Sequence, residues 1–386
     1  MKHFIKKIMP LLFITGIGIE FTTHAMQEED TDLALQDFPN ELKGIISSLV
    51  LESSFGANFE PLITIPTAQR LTAATVSPDR KTVLIASVDG IARLWDLATK
   101  TQVQEFIGHK GRISSVAFSP KGNFILTGSQ DKSAGLWDIT TGNQVHEFMT
   151  GSPVKSVAWS PDGESILTGS DETHVQLWDS STGNLLHDFI HTPGNLNQAL
   201  TVAFSPDGKT IAAGFFNGQI LLWDKDTGNQ IQEMESPKTI QELVFSKDGT
   251  SLLTRSLDTT ADLWDTTTGT VLQQFTNPDS RDFRIISLAF SPGDTFVLTG
   301  AANGIISVWE KTTGKKIREF KRLPDAVLRI APSSDDESMI TVSIDGTIIL
   351  WSVSAVAGGM TDATKQAAKD LYVSKLYQVL GAKRTS

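Results

Sequence analysis

The histidines of this chain are the residues whose chemistry could hold a metal ion. Five of them follow residue 25, and they are His109, His146, His174, His187 and His191. A metal site needs ligands that converge on one ion. On a β-strand a separation of four, as between His187 and His191, places two side chains on the same face but about 13 Å apart. We therefore expect neither a metal site nor another cofactor.

Catalytic motifs are also missing from the sequence. It contains no Gly-x-Ser-x-Gly, no Gly-rich phosphate-binding loop and no His-Glu-x-x-His. The absence of Cys excludes disulfides, thiolate metal sites and a cysteine nucleophile. The sequence therefore favours a protein that is not an enzyme.

The charge of the chain argues against nucleic acid as a partner. The formal net charge is −11, and removal of residues 1–25, which carry three Lys and one Glu, would leave −13. An acidic chain without a basic block is a poor binder of a phosphate backbone. No nucleic-acid partner is expected.

Residues 1–25 have the pattern of a secretory signal peptide. Lys2, Lys6 and Lys7 precede a largely apolar run over residues 8–19, and the small residue Ala25 ends the segment. The alternative is an uncleaved membrane anchor, but about 12 apolar residues fall short of the roughly 20 that a span needs. We expect cleavage after Ala25 and export to a periplasm or outside the cell, with no membrane contact afterwards. The lack of Cys favours a bacterial source.

The elements that position the remaining polar residues come from an internal repeat. Seven tryptophans follow one another at intervals of 41 to 45 residues, and they are Trp95, Trp137, Trp178, Trp223, Trp264, Trp309 and Trp351. The next residue is Asp after the first five. A constant period of this length is the signature of a repeat architecture.

Each repeat also carries turn signals on both sides of its tryptophan. About 18 residues before it lies a turn such as Ser-Pro-Asp-Gly at residues 160–163, and in five of the seven units Thr-Gly follows it, as at residues 182–183, whereas none follows Trp351. Runs of strand length rich in β-formers separate these turns, for example SSVAFS and FILTGS. Four strands per unit with a period near 42 predict one blade of a β-propeller.

The second unit contains a set of four polar and aromatic residues in addition to the repeat pattern. These are His109 in a Gly-His pair, Thr127, Asp131 and Trp137. Together with the repeat they resemble the WD40 family over residues 58–353. The resemblance implies an all-β, seven-bladed WD40 β-propeller in which these four side chains form a buried hydrogen-bond set.

The other units depart from this pattern. None of them has a Gly-His pair, and Ile85 and Ala213 replace the threonine in units one and four. The seventh unit lacks an outer strand. Residues 58–66, NFEPLITIP, read as a strand, and we predict that this N-terminal strand closes the ring by completing the last blade.

Short helices are predicted at both ends of the chain. Residues 26–57 are an acidic linker with a short helix, and residues 39–50, PNELKGIISSLV, resemble the opening of an F-box, which implies docking to a ubiquitin-ligase adaptor. The alternative is a helix that packs on the propeller rim. Residues 354–386 form a helical tail that either packs on the propeller or binds a partner.

Partner binding is expected where loops of neighbouring blades meet. The resemblance implies a binding face made by the loop before each first strand and the turn after each second strand. The candidates there are Arg70, Arg112, Phe215, Phe216, Leu257 and Arg284. Exposed apolar patches mark interaction sites, and Arg and aromatic residues dominate them. The alternative is that these side chains line or plug the central channel.

The sequence thus predicts a non-catalytic, monomeric interaction scaffold that binds a protein or peptide. Two alternatives stay open. One is an F-box-like substrate adaptor of a ubiquitin ligase, delivered to a host cell. The other is a hydrolase with a site in the channel, which converging acids or histidines would support.

Overall fold

The computed structural model describes seven stretches of the chain and two short strands near its start. The stretches are residues 70–190, 198–256, 258–276, 284–291, 293–321, 323–332 and 338–352. The predictions for the helix at residues 39–50, the strand at residues 58–66 and the tail at residues 354–386 lie outside the described residues. No helix occurs within the stretches that are described.

Strands β1 (Phe13–Thr15) and β2 (Gly18–Glu20) form an antiparallel pair, in which Ile14 lies opposite Ile19. Both strands fall within residues 1–25, the segment with the pattern of a signal peptide. They belong to a compact unit made of Met1–Asn58 and Ala355–Ser386, whereas Phe59–Ser354 forms a second unit.

The second unit contains seven antiparallel sheets, each of which we call a blade. Blades 1 to 3 consist of β3 (Leu71–Val76), β4 (Thr82–Ser87), β5 (Ala92–Asp96), β6 (Gln102–Phe106); β7 (Ile113–Phe118), β8 (Phe124–Ser129), β9 (Ser133–Asp138), β10 (Gln144–Met149); and β11 (Val154–Trp159), β12 (Ser165–Ser170), β13 (His174–Asp179), β14 (Leu185–Ile190).

Blades 4 to 7 follow the same order along the chain. They consist of β15 (Ala199–Phe204), β16 (Thr210–Phe215), β17 (Gln219–Asp224), β18 (Gln230–Glu235); β19 (Ile240–Phe245), β20 (Ser251–Ser256), β21 (Thr260–Asp265), β22 (Val271–Thr276); β23 (Ile285–Phe290), β24 (Phe296–Ala301), β25 (Ile305–Glu310), β26 (Lys316–Lys321); and β27 (Val327–Pro332), β28 (Ser338–Ser343), β29 (Ile348–Ser352).

The architecture is a seven-bladed β-propeller, as the spacing of the tryptophans predicts. Consecutive strands of a blade pair in chain order, and the first strands of successive blades contact one another around the ring. These first strands enclose the central channel. We call the face where first strands begin and second strands end the upper face, and the opposite one the lower face.

The turn after β11 shows how local chemistry ends a first strand at the lower face. In blade 3, Gly163 has a positive φ of 78°, which a glycine adopts without steric cost. The carboxylate of Asp162 accepts the N–H of Glu164 at 2.9 Å. The Ser-Pro-Asp-Gly sequence thereby reverses the chain and sets the register of the hairpin.

Apolar packing between neighbouring blades forms the core. Phe106, at the end of β6 in blade 1, lies with Ile113 and Trp137 of blade 2 in one buried cluster. The rings of Phe106 and Trp137 are 6.2 Å apart between centroids, in an edge-to-face arrangement. Equivalent clusters connect other neighbours, so each blade is stabilised mainly by the next one.

The first and last blades are also in contact. The N–H of Leu71 donates to the carbonyl of Ile344 at 3.0 Å. Ile85 of blade 1 and Ile340 of blade 7 belong to one buried cluster. Blade 7 has three strands among the described residues, and the strand predicted to complete it lies outside them.

Candidate functional site

Blade 2 brings together the four side chains of the predicted hydrogen-bond set. Nδ1 of His109 lies 2.9 Å from Oδ2 of Asp131, and its Nε2 lies 2.7 Å from Oγ1 of Thr127. The indole N–H of Trp137 donates to the same threonine oxygen at 2.8 Å. Thr127 and Trp137 are buried. The set therefore satisfies a buried indole and ties the loop before β7 to the turn after β8.

The carboxylate of this set is held in its charged form. Burial alone would raise the pKa of Asp131. Hydrogen bonds from Ser133, from the N–H of Lys110 and from His109 together lower it by more, so the pKa lies below its ordinary value. A charged acceptor makes these bonds stronger than neutral ones. The geometry is that of a structural lock with no free acid or base.

Other blades keep only part of this set. The indole donates to a threonine in four of them, in the pairs Trp178–Thr168, Trp264–Thr254, Trp309–Thr299 and Trp351–Thr341. In blade 1, Ile85 replaces the threonine, and the buried Nε1 of Trp95 has no hydrogen-bond partner. Blade 1 therefore carries an unsatisfied donor that blade 2 does not.

Blade 5 replaces the histidine with a lysine, which the sequence analysis missed. The ammonium of Lys238 contacts the carboxylate of Asp258 and lies 3.0 Å from Oγ1 of Thr260. Asp258 and Thr260 occupy the positions that Asp131 and Ser133 have in blade 2. The only signal in the sequence is a lone lysine two residues before β19, in a connection of variable length.

The candidate arginines occupy equivalent positions on the upper face. Arg70, Arg112 and Arg284 directly precede β3, β7 and β23, and all three are exposed. The carbonyl of Arg112 accepts the N–H of Gln130 at 2.9 Å, and that of Arg284 accepts the N–H of Ala302 at 2.8 Å. None of the three guanidinium groups has an ion pair within the described part of the chain.

The prediction that Phe215 belongs to an exposed patch is wrong. Phe215 is the last residue of β16 and is fully buried, with its ring 6.5 Å from that of Trp223. Successive side chains of a strand point to opposite sides, so the next residue, Phe216, turns outward and is 53% exposed. Leu257, the predicted neighbour of this patch, lies outside the described residues.

Val88 takes the place in blade 1 that Phe216 has in blade 4, and it is equally exposed. We call Arg70, Val88, Arg112, Phe216 and Arg284 the upper-face set. It combines two apolar side chains on rigid turns with three guanidinium groups. Such a set can bind a protein surface, since Arg and aromatic residues supply most interface energy.

The histidines do not converge. Nε2 of His146 contacts the carbonyl of Ser181 at 2.9 Å, and Nδ1 of His174 contacts the Asp188 carboxylate at 2.9 Å. His187 stacks on Phe189, whereas His191 lies outside the described residues. Among the residues that were placed, no group of three His, Cys, Asp or Glu side chains could hold a metal ion.

The channel wall offers no pair of acids. The seven first strands, in which every residue is described, carry only Lys155, Glu242 and Arg329 as charged residues. Glu242 is itself bonded to an arginine, Arg255, at 2.9 Å. A hydrolase site with two carboxylates is therefore not found on these strands.

Two grooves open between neighbouring blades on the lower face. One of about 300 Å³ lies between blades 2 and 3, and one of about 630 Å³ lies between blades 4 and 5. The acidic residues that line them form hydrogen bonds within turns. Asp162 accepts the N–H of Glu164, and Asp248 accepts the N–H of Thr250 at 3.0 Å. These grooves are therefore products of turn architecture. The described stretches also contain no helix that is long and apolar enough to cross a membrane.

Comparison with known proteins identifies one family. A family model described as the IFT122 first beta-propeller matches residues 71–352. The match begins at the first residue of β3 and ends at the last residue of β29, so it spans all seven blades. No curated protein matches the chain significantly.

Proposed function

The chain belongs to the family described as the IFT122 first beta-propeller, and from this premise we propose that it is a non-catalytic scaffold that binds a protein or peptide on its upper face. Propellers of this type are typically platforms for protein interaction. Function then depends on the side chains that differ between blades. The upper-face set contains such differing side chains, and they are exposed apolar and basic residues.

The main support is the way Phe216 is presented. Its N–H donates to the carbonyl of Gln198 at 3.0 Å, and its carbonyl accepts the hydroxyl of Thr239, in blade 5, at 2.7 Å. The backbone is thus held within blade 4 and from the next blade, while the aromatic ring stays exposed. An aromatic anchor fixed before binding loses little entropy when a partner docks.

The exposed arginines supply the polar part of this surface. Arg70 and Arg112 lie on adjacent blades and have no ion pair in the described structure. A partner can therefore bond them without first breaking an internal pair. Guanidinium groups and aromatic rings together are the usual components of an interface hot spot.

Cross-linking and affinity capture from the native host test this proposal. The mature protein is compared with a Phe216→Ala, Arg70→Ala, Arg112→Ala variant that still unfolds cooperatively. We expect the variant to lose one abundant partner that the wild type retains. An Ile231→Ala, Lys121→Ala, Lys209→Ala variant is the matched control, because these residues are exposed on the lower face and Ile231 is as exposed as Phe216.

A partner list that is the same for both variants and the wild type would refute binding at the upper face. Loss of the partner in the lower-face control alone would move the binding surface to the opposite side of the ring. Loss in the upper-face variant alone would support the proposal.

Export is part of the same proposal. Residues 1–25 direct the protein across a membrane, and it acts there as a monomer. N-terminal sequencing of protein recovered from the periplasm or the medium should begin at Met26, and light scattering should give the mass of one chain. A mature protein that keeps Met1 and stays in the cytosol would contradict export.

A further inference from the structure

One interface between blades departs from the others at the fifth residue of the second strand. That residue is Ala86, Gly128, Gly169, Gly214, Arg255, Gly300 and Val342 in blades 1 to 7. The four glycines are needed, since a methyl group added at Gly128 would lie 2.6 Å from Cγ1 of Val154 in the next blade. Arg255 therefore places a long charged side chain where blades 2, 3, 4 and 6 have a glycine and leave almost no space.

A second departure in blade 5 accommodates this arginine. In blades 2, 3, 4 and 6 the third residue of the first strand is Ser or Thr, and its hydroxyl accepts an N–H from the next blade, as Ser115 does from Val157 at 3.2 Å. Blade 5 has Glu242 there. Its Oε2 accepts Nε–H of Arg255 at 2.9 Å, and Arg255 also reaches the carbonyl of Ile285 in blade 6 at 3.5 Å.

A third charged residue reaches the same carboxylate from blade 7. Nη1 of Arg329, on β27, lies 3.5 Å from Oε1 of Glu242. The Arg329 side chain is 40% exposed, and its buried Nε has no hydrogen-bond partner. Within the described structure its donors are therefore only partly used.

A further arginine, Arg284, lies beside this contact in the sequence. It is exposed, has no ion pair among the described residues and precedes Ile285, the residue that Arg255 contacts. We call Glu242, Arg255, Arg284 and Arg329 the arginine cluster. Arg255 and Arg329 share the carboxylate of Glu242, and Arg284 adds a third guanidinium group on the same face, in a chain whose formal net charge is −11. This leaves a local excess of positive charge and of N–H donors at the upper end of the channel.

We infer that the arginine cluster binds a carboxylate of an acidic peptide segment in the partner. The inference rests on the proposed function, because the cluster lies where second strands end and first strands begin, next to the upper-face set. A guanidinium fork pairs with a carboxylate through two parallel hydrogen bonds. An Asp or Glu side chain inserted into the channel mouth would bind the guanidinium of Arg284, which has no ion pair among the described residues, and that of Arg329, whose contact with Glu242 is 3.5 Å long.

The background charge of the protein favours a short segment over a long anionic polymer. At physiological salt, charges beyond about 8 Å are largely screened. The cluster therefore attracts an acidic side chain once the partner has docked on neighbouring apolar residues. An extended polyanion would also lie against the rest of the surface, which is acidic and would repel it.

Selection from a random 12-residue peptide library displayed on phage tests the inference with the full mature chain. Wild type should enrich peptides with Asp or Glu at one fixed position. The best synthetic peptide should bind at least tenfold more weakly to Arg329→Gln, and its Glu→Gln analogue should bind wild type at least tenfold more weakly, by fluorescence anisotropy. Lys209→Gln, which removes one exposed charge from the lower face, should bind as wild type.

Arg284→Gln is the second variant, because an exposed side chain without an ion pair can be replaced without affecting folding. It should weaken binding at least threefold. Equal affinity of the peptide for wild type, Arg329→Gln and Arg284→Gln would overturn the inference. So would the absence of acidic enrichment, or at least tenfold tighter binding of an analogue with phosphoserine at the acidic position.

The two proposals can fail separately. Peptide binding that is lost with Phe216→Ala but kept with Arg329→Gln would leave the upper face as the binding surface and overturn only the arginine cluster. Binding that is lost with Arg329→Gln but kept in the Phe216→Ala, Arg70→Ala, Arg112→Ala variant, together with an unchanged partner list, would reject the upper-face set and retain the cluster as an acid-binding site.

Discussion

The hydroxyl oxygen of Thr127 joins two rings from different parts of blade 2. It accepts the indole N–H of Trp137 and lies within hydrogen-bond distance of His109. Thr168 in blade 3 makes only the indole bond, to Trp178 at 3.0 Å. The two residues are equally buried and therefore provide a matched pair.

We expect Thr127→Val to lower the free energy of unfolding by about 1–3 kcal/mol, because two buried polar groups lose their partner. Thr168→Val should cost less, since it leaves only one group unsatisfied. Urea unfolding of both variants measures the difference. Equal losses would mean that His109 contributes nothing through Thr127.

Asp89 gives blade 1 a pH-dependent ion pair. Burial raises its pKa, but hydrogen bonds from Arg93 and Ser87 lower it from 3.8 to about 2. A group whose pKa is lower in the folded state stabilises the fold above its unfolded pKa. This contribution is lost as the pH falls from about 4 through about 2.

The stability of the wild type should therefore decrease between pH 4 and pH 2 more steeply than that of Asp89→Asn. The variant cannot gain a proton at this position, so it lacks this part of the slope. Urea unfolding at a series of pH values compares the two proteins. Parallel curves would show that the Asp89–Arg93 pair does not stabilise the folded state.

Turns are the elements that the sequence specifies most completely. Many combine a residue that bonds its own backbone with a glycine at positive φ, and both are local properties. The seven tryptophans and these turns were therefore sufficient to predict the number of blades. Local signals of this kind need no knowledge of what lies across the ring.

Details that depend on a single residue of register were not predictable in this way. Phe215 and Phe216 differ only in which side of β16 they face, and the last residue of the strand decides it. Lys238 contacts Asp258 because the connection before β19 is two residues shorter than the one before β7. Arg255 and Glu242 are recognisable as a pair only when two strands are placed side by side.

Substitution of two glycines by alanine would distinguish the cost of a left-handed backbone from the cost of a steric clash. Gly218, after β16, has φ of 94°, and a methyl group there would collide with the carbonyl of Ser236. Gly151 has φ of 81°, but nothing lies within 4 Å of such a methyl group. Both substitutions force a side chain into a left-handed conformation, and only one also meets fixed backbone.

We expect Gly151→Ala to destabilise the protein by about 1–2 kcal/mol through the left-handed conformation alone. Gly218→Ala should cost at least about 1 kcal/mol more, because a backbone atom must shift. Thermal unfolding measures both. A smaller loss for Gly218→Ala than for Gly151→Ala would contradict the close approach of the Ser236 carbonyl.

Ring closure is a property of the whole molecule. Blades 1 and 7 share a buried cluster and the bond from Leu71 to Ile344. Blade 7 has one strand fewer than its neighbours among the described residues, so the outer edge of β29 has no described partner strand. An unpaired edge exposes backbone donors and acceptors that favour aggregation.

Deletion of residues 58–66 should therefore lower the melting temperature and promote aggregation, because the sequence predicts that they complete blade 7. Deletion of the acidic residues 27–37 is the control and should leave melting unchanged. Differential scanning calorimetry and light scattering measure the two effects. An unchanged melting temperature after removal of residues 58–66 would reject closure by that strand.

The angular positions of the upper-face set limit the form of a bound complex. Seven equal blades place neighbours about 51° apart around the axis. Phe216 on blade 4 and Arg70 on blade 1 are three blades apart, on nearly opposite sides of the opening. A partner that touches both must cross the axis and occlude the channel, so that water and small solutes would exchange through the lower end alone for as long as the complex lasts.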